Sequence, residues 1–599
     1  MDLKIRIIDK NKDDGSEGVD FIDTMAASGE ILLNILQDSS TSIHAPCGGR
    51  GTCKKCKVEI EGLGEVLSCQ TRLDQSLCNI NNEIVVILPR QGKAKIQSGG
   101  VLPQHVLDPL LQLRTESFKH PDITDQMPDD QRVLQKTDCS IPFHLLHSLP
   151  AALRINDFTL QYVVRKDNNE MTAVNTKKTP EKLYGVSIDI GTTTLAVYLY
   201  DLATGNLIKT LTGMNPQRGY GADVISRIDF ASQSKENLDQ LQRSIGEKLI
   251  DLLFDLSDSI QDIKLLSIAG NTTMMHLLCG INPSAIACAP FIPATISSKI
   301  IYGSEIFPFL PDDMDYNPLC VLLPSISGYV GADVTAGILT CKMDMDKEAQ
   351  VLIDIGTNGE IALSKDGKIV ACSTAAGPAF EGANIVCGIG GIAGAIDKVF
   401  FNGVDFEFTT ISGDESVGIC GSGIISAIAT LLRTHVIDET GRFEDDMDLI
   451  PESLHNRLIK YNNETIFVFT TNEENIPQVY LTQKDIREIQ NAKAAVCAGV
   501  RLLLEHRDIN PDEIENVYIA GGFGNFLNVE DAFTIGLLPM ELYGKAKMVG
   551  NTSGLGASLC LLDSQMLKRC DIIAKNTKYY ELSSDKRFTD LYIDAMLFE

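Results

Sequence analysis

The sequence predicts a multidomain α/β protein, and three observations carry that prediction. A short N-terminal stretch alternates strands around a cysteine-rich loop. A segment punctuated by glycine and proline follows it. A strand–turn–strand motif then occurs twice in the remaining two thirds of the chain. The expected division is a β-rich unit over 1–88, a linker over 89–104, a small middle domain over 105–183, and a large domain of two duplicated halves over 184–599.

The N-terminal unit is read from periodicity. Leu3 to Ile8 alternates apolar and polar residues, Val19 to Ile22 reads as a second strand, and Glu30 to Leu36 is a one-face helix. Lys57 to Ile60 and Glu83 to Leu88 are further strands. After Pro89, RQGKAKIQSGGVLP carries no acidic residue and four glycines or prolines, the composition of a tether. In the middle unit, Phe143 to Arg154 reads as helical despite Pro150, Phe158 to Val164 reads as a strand, and Arg165 to Lys182 is polar.

From Tyr184 onward, Val- and Ile-rich strands alternate with glycine turns and with long amphipathic helices, such as Glu236 to Leu256 and Thr482 to Glu505, an α/β pattern. The repeat organises this part. GVSIDIGTTTLAVYLYD begins at Gly185 and QVLIDIGTNGEIALSKD at Gln350, which places Asp189 and Asp354 165 residues apart. Two matched hairpins imply a duplicated domain with a site between its halves.

Composition excludes several classes of function. A formal net charge of −28 disfavours nucleic acid, whose phosphates need a basic footprint, and equally an anionic membrane surface. The N-terminus MDLKIRIIDKNKDDG is too charged for a signal peptide, and no apolar run approaches the roughly 20 residues of a membrane span. The longest candidate, Ile385 to Ile396, holds four glycines in 12 residues and reads as buried turn-and-strand material. Sixteen cysteines without an export signal read as thiols or metal ligands, and the expected location is the cytoplasm.

Four cysteines form a constellation. Cys47, Cys53, Cys56 and Cys69 are spaced C-x5-C-x2-C-x12-C, and the first three lie in HAPCGGRGTCKKC, a loop dense in glycine and small residues. Such a loop wraps backbone N–H groups around a compact inorganic core, and four thiolates satisfy a [2Fe–2S] cluster. Zinc also takes four thiolates, although zinc ribbons present two C-x2-C knuckles and this sequence has one. Cys78 is a spare thiol nearby. Over residues 1–88 the loop resembles that of β-grasp [2Fe–2S] ferredoxins. It departs from the plant-type pattern by one extra residue in the first gap and an early fourth cysteine.

The hairpins suit phosphate. Exposed N–H groups and hydroxyls at a Gly-Thr turn converge on phosphate oxygens, and a carboxylate just before the turn can hold Mg²⁺ through water and orient an attacking water. No G-x4-G-K-[ST] occurs. Gly388-x-Gly390-x-x-Ala393 imitates a dinucleotide fingerprint, but no acidic residue follows within a clear βαβ unit. A third element, NVYIAGGFGNFLN at Asn516 to Asn528, runs a strand into Gly521-Gly522-Phe523-Gly524, where glycines let backbone approach a flat base and its ribose.

Together these elements resemble the superfamily of acetate and sugar kinases, heat-shock chaperone ATPases and actin, the ASKHA fold, over residues 184–599. The resemblance implies a first phosphate loop at Asp189 to Thr194 (with Gly191, Thr192, Thr193 and Thr194), a second at Asp354 to Asn358 (with Gly356 and Thr357), and an adenosine loop at Gly521 to Gly524. SIAGNTTMMHLL, STAAGPAFEGANI and GICGSGIISAI further resemble the ATP-dependent reductive activators of corrinoid proteins. The order of ferredoxin-like domain, tether, middle domain and actin-like ATPase domain resembles them too.

That resemblance implies one-electron reduction of a Co(II) corrinoid protein to Co(I), with a [2Fe–2S] cluster, ATP and Mg²⁺ as cofactors. It also implies an upstream electron donor and a homodimer. Asp189 and Asp354 are the expected catalytic pair, Thr192, Thr193, Thr357 and Asn358 the phosphate grip, and Asn271 and Glu381 further polar site residues. Lifting one electron by a few hundred millivolts needs roughly 5 to 10 kcal/mol at about 2.3 kcal/mol per 100 mV. Nucleotide binding and hydrolysis supply that through unequal affinity for two conformations. Three alternatives stand beside this: an activator of another redox enzyme, a small-molecule kinase with a redox-sensing ferredoxin domain, and an actin-like scaffold.

Overall fold

The computed structural model describes residues 2–9, 21–39, 41, 43, 45, 49, 51, 55–79, 82–88, 101–178, 182–311, 314, 316–521 and 527–598. Near the N-terminus five strands form one sheet in the order Phe21–Ala27, Asp2–Asp9, Glu83–Leu88, Lys57–Ile60, Gly64–Leu67. The first and last strands in sequence lie side by side and parallel, with Ile5 opposite Ile84 and Ile7 opposite Val86. Alternation sends Ile5, Ile7, Ile84 and Val86 inward, where they meet Leu32 and Leu36 of the helix Leu32–Asp38. Cys56 and Cys69 belong to this core. The second strand, Phe21–Ala27, extends past the Ile22 end read from sequence because its pairing with Asp2–Asp9 continues to Ala27; Val19 and Asp20 of that reading lie outside the described residues.

The middle unit is a three-stranded antiparallel sheet, Leu111–Ser117, Thr159–Arg165 and Glu170–Val174, covered by short helices. Phe143 to Arg154 is not one helix. A 3-10 turn Phe143–His147 gives way at Ser148 to the helix Leu149–Ile155, with Pro150 in its first turn. Proline is accepted there because a first-turn N–H has no partner within its helix.

Two six-stranded sheets follow with the same internal plan. In the first, Tyr184–Ile190 pairs antiparallel with Thr194–Asp201 and parallel with Ile263–Gly270. In the second, Ala349–Ile355 pairs antiparallel with Gly359–Lys365 and parallel with Ile514–Ala520. The repeated sequence is thus a repeated fold. Helix Lys235–Leu256 flanks the first half. Helix Gln483–His506 flanks the second, started by a capping box between Thr482 and Asp485.

Helices Ala332–Thr340 and Thr552–Leu562 cross between the sheets, in a core that draws Leu265 from the first half and Leu352 from the second. Their crossing is close: a Cβ on Gly556 would lie 2.5 Å from the Ala336 carbonyl oxygen. Ile385 to Ile396 is mainly irregular backbone up to the strand Ala395–Phe401, and Val386 is exposed. Among the described residues no helix is long and apolar enough to cross a membrane.

Candidate functional site

The two hairpins face each other across a cleft with about 1300 Å³ of atom-free space. Asp189 and Gly191 to Thr194 line one wall, and Asp354 and Gly356 to Asn358 line the other. Asn271, Glu381 and Gly521 complete the set of described residues expected at this place. Gly522, Phe523 and Gly524 lie outside the described residues.

The turns close over different spans, three residues on in the first and two in the second. The Gly191 N–H donates to the Thr194 carbonyl at 2.9 Å, and the Gly356 N–H to the Asn358 carbonyl at 3.0 Å. Gly521, at the end of Ile514–Ala520, has φ +111°, and a Cβ there would stand 2.4 Å from the Ile355 carbonyl oxygen. Only glycine lets that strand end lie against the second hairpin.

Polar side chains tie the walls together. Glu381 accepts the Thr193 hydroxyl at 2.7 Å and the Thr357 hydroxyl at 2.8 Å, so one carboxylate bridges both phosphate hairpins. Asn271 does two things. Its oxygen caps the helix Thr272–Leu278 by accepting the Met274 N–H at 2.9 Å, and its amide donates to the Thr192 hydroxyl at 3.1 Å. Behind the first hairpin, buried Arg227 donates to the Thr192 carbonyl at 2.5 Å and the Gly221 carbonyl at 3.0 Å. Burial pushes its guanidinium down to about 9, which leaves it charged at neutral pH.

The acidic groups differ in their support. Asp189 accepts the Asn551 amide at 2.8 Å and the Ser553 hydroxyl at 2.6 Å. Desolvation still raises its carboxyl, opposed by those two hydrogen bonds. Asp354 is pushed up to about 8 by desolvation and by the neighbouring charges of Asp333, Asp189 and Glu381. Across the strand pair Asp354 faces Glu360, whereas Asp189 faces Ala196. Glu360 is raised by burial and by Asp333 and Asp354, and Asp333 is raised to about 7, chiefly by desolvation.

The cleft thus gathers an excess of buried carboxylates. Among the described residues no three Asp, Glu, His or Cys side chains converge as a protein-only cage.

Sequence reading did not single out Asp333, Glu360, Asn551, Ser553, Arg218 or Arg227. Gly390 and Gly391, from the false dinucleotide fingerprint, also line the cleft. They do so on irregular backbone that opens no helix.

Of the four cysteines, Cys47 and Cys53 lie outside the described residues. Cys56 and Cys69 are buried neighbours: the Ser68 N–H donates to the Cys56 carbonyl at 2.9 Å. The Gln70 amide donates to the Cys69 sulfur at 3.7 Å. Gly49 and Gly51 have φ +81° and +76°, and a Cβ on Gly51 would strike Gln70 at 2.6 Å. Buried thiols, a donor aimed at sulfur and left-handed glycines in the connecting loop fit an iron–sulfur group.

Comparison with known proteins covers most of the chain. Residues 102–181 match the family description "RACo linker region", 184–346 match "RACo middle region", and 348–599 match "C-terminal domain of RACo the ASKHA domain". The corrinoid activation enzyme RamQ of Eubacterium limosum is 32% identical over 584 residues, covering 94% of this chain and 96% of that protein. A reductase of the Co(II) methylated amine-specific corrinoid protein, from Methanosarcina barkeri, is 26% identical over 69% of this chain and 76% of its own length. The solved structure of a reductive activator for a corrinoid, iron–sulfur protein superposes with a TM-score of 0.74 at 29% identity. It covers 99% of this chain and 98% of that one.

Proposed function

This chain belongs to the RACo family, and on that premise we propose that it is an ATP-hydrolysing reductive activator that returns the cobalt of a corrinoid protein from Co(II) to Co(I). The full-length correspondence with a corrinoid activation enzyme carries the reading. The cleft between paired hairpins supports its ATP-dependent half.

Cys47, Cys53, Cys56 and Cys69 would hold a [2Fe–2S] cluster. When bound, that group supplies one-electron chemistry, taking electrons singly from an upstream donor and giving them singly to the corrinoid substrate. The division at 1–88, 89–104, 105–183 and 184–599 keeps the electron-carrying and ATP-hydrolysing parts separate and tethered. The protein acts in the cytoplasm as a homodimer.

Within the cleft the hairpins have distinct tasks. Thr192, Thr193, Thr357 and Asn358 hold phosphate oxygens, and Gly521 to Gly524 approach the adenosine. Asp354, with no cation beside it among the described residues, attracts Mg²⁺ and its waters. Asp189, fixed by Asn551 and Ser553, orients the opposite side of the phosphate chain.

The test is anaerobic. The reduced protein is mixed with a Co(II) corrinoid protein, and Co(I) absorbance is followed with and without Mg-ATP. Co(I) that forms only with Mg-ATP, and not with a Cys56→Ala variant, is the expected result. Co(I) formation by Cys56→Ala, or none by wild type with several corrinoid proteins despite an intact cluster and ATP turnover, would refute it.

A further inference from the structure

Lys55 immediately precedes Cys56, in the cysteine-rich segment of the N-terminal domain. Its ammonium does not point to water. It donates to three backbone carbonyls of the far half of the molecule: Gly382 at 3.3 Å, Ile385 at 3.3 Å and Gly388 at 3.1 Å. An ammonium has three donors and no acceptor, so three converging carbonyls fit its hydrogen-bonding capacity.

The seat is rigid. A Cβ on Gly388 would lie 2.1 Å from the Gly382 carbonyl oxygen, and Gly382 itself has φ +78°. The Val386 N–H is held by the Asp485 carboxylate at 2.9 Å. A second contact joins the same two bodies, where the Gln37 amide donates to the Gly219 carbonyl.

The seat is also continuous with the nucleotide cleft. Gly382 follows Glu381, the residue that accepts both Thr193 and Thr357. Ile389 and Gly390, just past Gly388, line the cleft itself. Lys55, Thr193, Arg218, Glu381 and Gly388 share the walls of one small opening at its rim.

We propose that Lys55 is a latch that docks the cysteine-bearing domain on the rim of the nucleotide cleft, and that nucleotide opens the latch through Glu381. The proposal rests on the nucleotide reading of the cleft. Phosphate oxygens at the two hairpins compete with Glu381 for the Thr193 and Thr357 hydroxyls and repel its carboxylate. Glu381 then leaves its bridging position, the adjoining 382–388 segment shifts, and the three carbonyls no longer converge on Lys55. Linkage makes the effect reciprocal: a domain that nucleotide releases must, while docked, weaken nucleotide binding.

The experiment uses the full-length, cluster-loaded protein and its Lys55→Met variant, each with and without saturating Mg-AMPPNP. Small-angle scattering reads the docking, amide hydrogen exchange reads the 378–390 segment, and calorimetry reads nucleotide affinity. Wild type expands and loses protection at 378–390 when Mg-AMPPNP is added. Lys55→Met is already expanded without nucleotide and binds Mg-AMPPNP at least about fivefold more tightly. Identical scattering and affinity for the two proteins would overturn the latch, as would a wild type that stays equally compact with nucleotide bound. Failure of both proteins to bind Mg-AMPPNP would sink the nucleotide reading instead, and their nucleotide-free scattering would still decide the docking.

Discussion

The two hairpins share a sequence motif but neither a turn length nor an environment. Asp189 and Asp354 stand at equivalent strand ends before Gly-Thr turns that differ by one residue in length. Asp189 receives two side-chain hydrogen bonds and faces an alanine across the strand pair. No side chain among the described residues donates to Asp354, which faces Glu360 and lies near Asp333. A duplicated motif therefore carries two chemistries: one carboxylate is oriented by two donors, and the other is kept short of positive charge. The first is suited to position a ligand and the second to recruit a cation.

Exchanging the carboxylates for amides is the sharpest way to break that comparison. Asp354→Asn is expected to lower ATP turnover by about 10²-fold or more, the scale of losing a group that acts on the attacking water. Binding of Mg-free nucleotide should change far less. Steady-state phosphate release and calorimetry measure the two. An equal loss from Asp189→Asn would mean that the hairpins are chemically equivalent.

Proton linkage sharpens it next. Asp354 is raised from its ordinary 3.8 to about 8, so its folded form prefers to be protonated. The nucleotide-free protein gains stability from this at low pH and loses it as pH climbs from about 4 through about 8. Mg-nucleotide then displaces protons, up to roughly one from Asp354 at pH 7. Calorimetric titration in buffers of different ionisation enthalpy counts them, and Asp354→Asn should reduce the count. A count unchanged by that variant would remove Asp354 from the linkage.

The smallest effect belongs to the supporting residues. Ser553→Ala removes one hydrogen bond to the Asp189 carboxylate and should cost about 1.5–3 kcal/mol, by analogy with other hydrogen bonds to charged groups. Denaturant unfolding of the nucleotide-free protein measures it. No change in stability would mean that water replaces the serine and that Asp189 is less firmly held than its geometry indicates.

Much of this architecture was legible because local sequence and global fold agree. The Asp-Ile-Gly-Thr turns mark the duplication, and period-2 alternation marks the central strands of the N-terminal sheet. Pro150 misled only in length, since one proline can start a helix as readily as interrupt one. The groups that distinguish Asp189 from Asp354 were not legible. Asp333 sits in the first turn of a helix, and Asn551 and Ser553 begin another, each brought to the cleft by long-range packing. A signal did exist for the last two: Asn-Thr-Ser-Gly directly after a strand is an N-cap pattern. Nothing local indicated that the cap also serves a carboxylate in the opposite half. Gly388 to Ala393 was set aside because its spacing belongs to a different fold, yet part of it lines the cleft.

The partners of Asp189 carry a consequence for how the chain is made. Asn551 and Ser553 lie 362 and 364 residues downstream of it. Domains form largely in the order in which they leave the ribosome, N-terminal parts first. The first hairpin therefore waits, through synthesis of most of both sheets, for a helix start in the second half. A nascent chain stalled anywhere before that point holds an aspartate without its donors, so the first hairpin is completed only by residues of the second half.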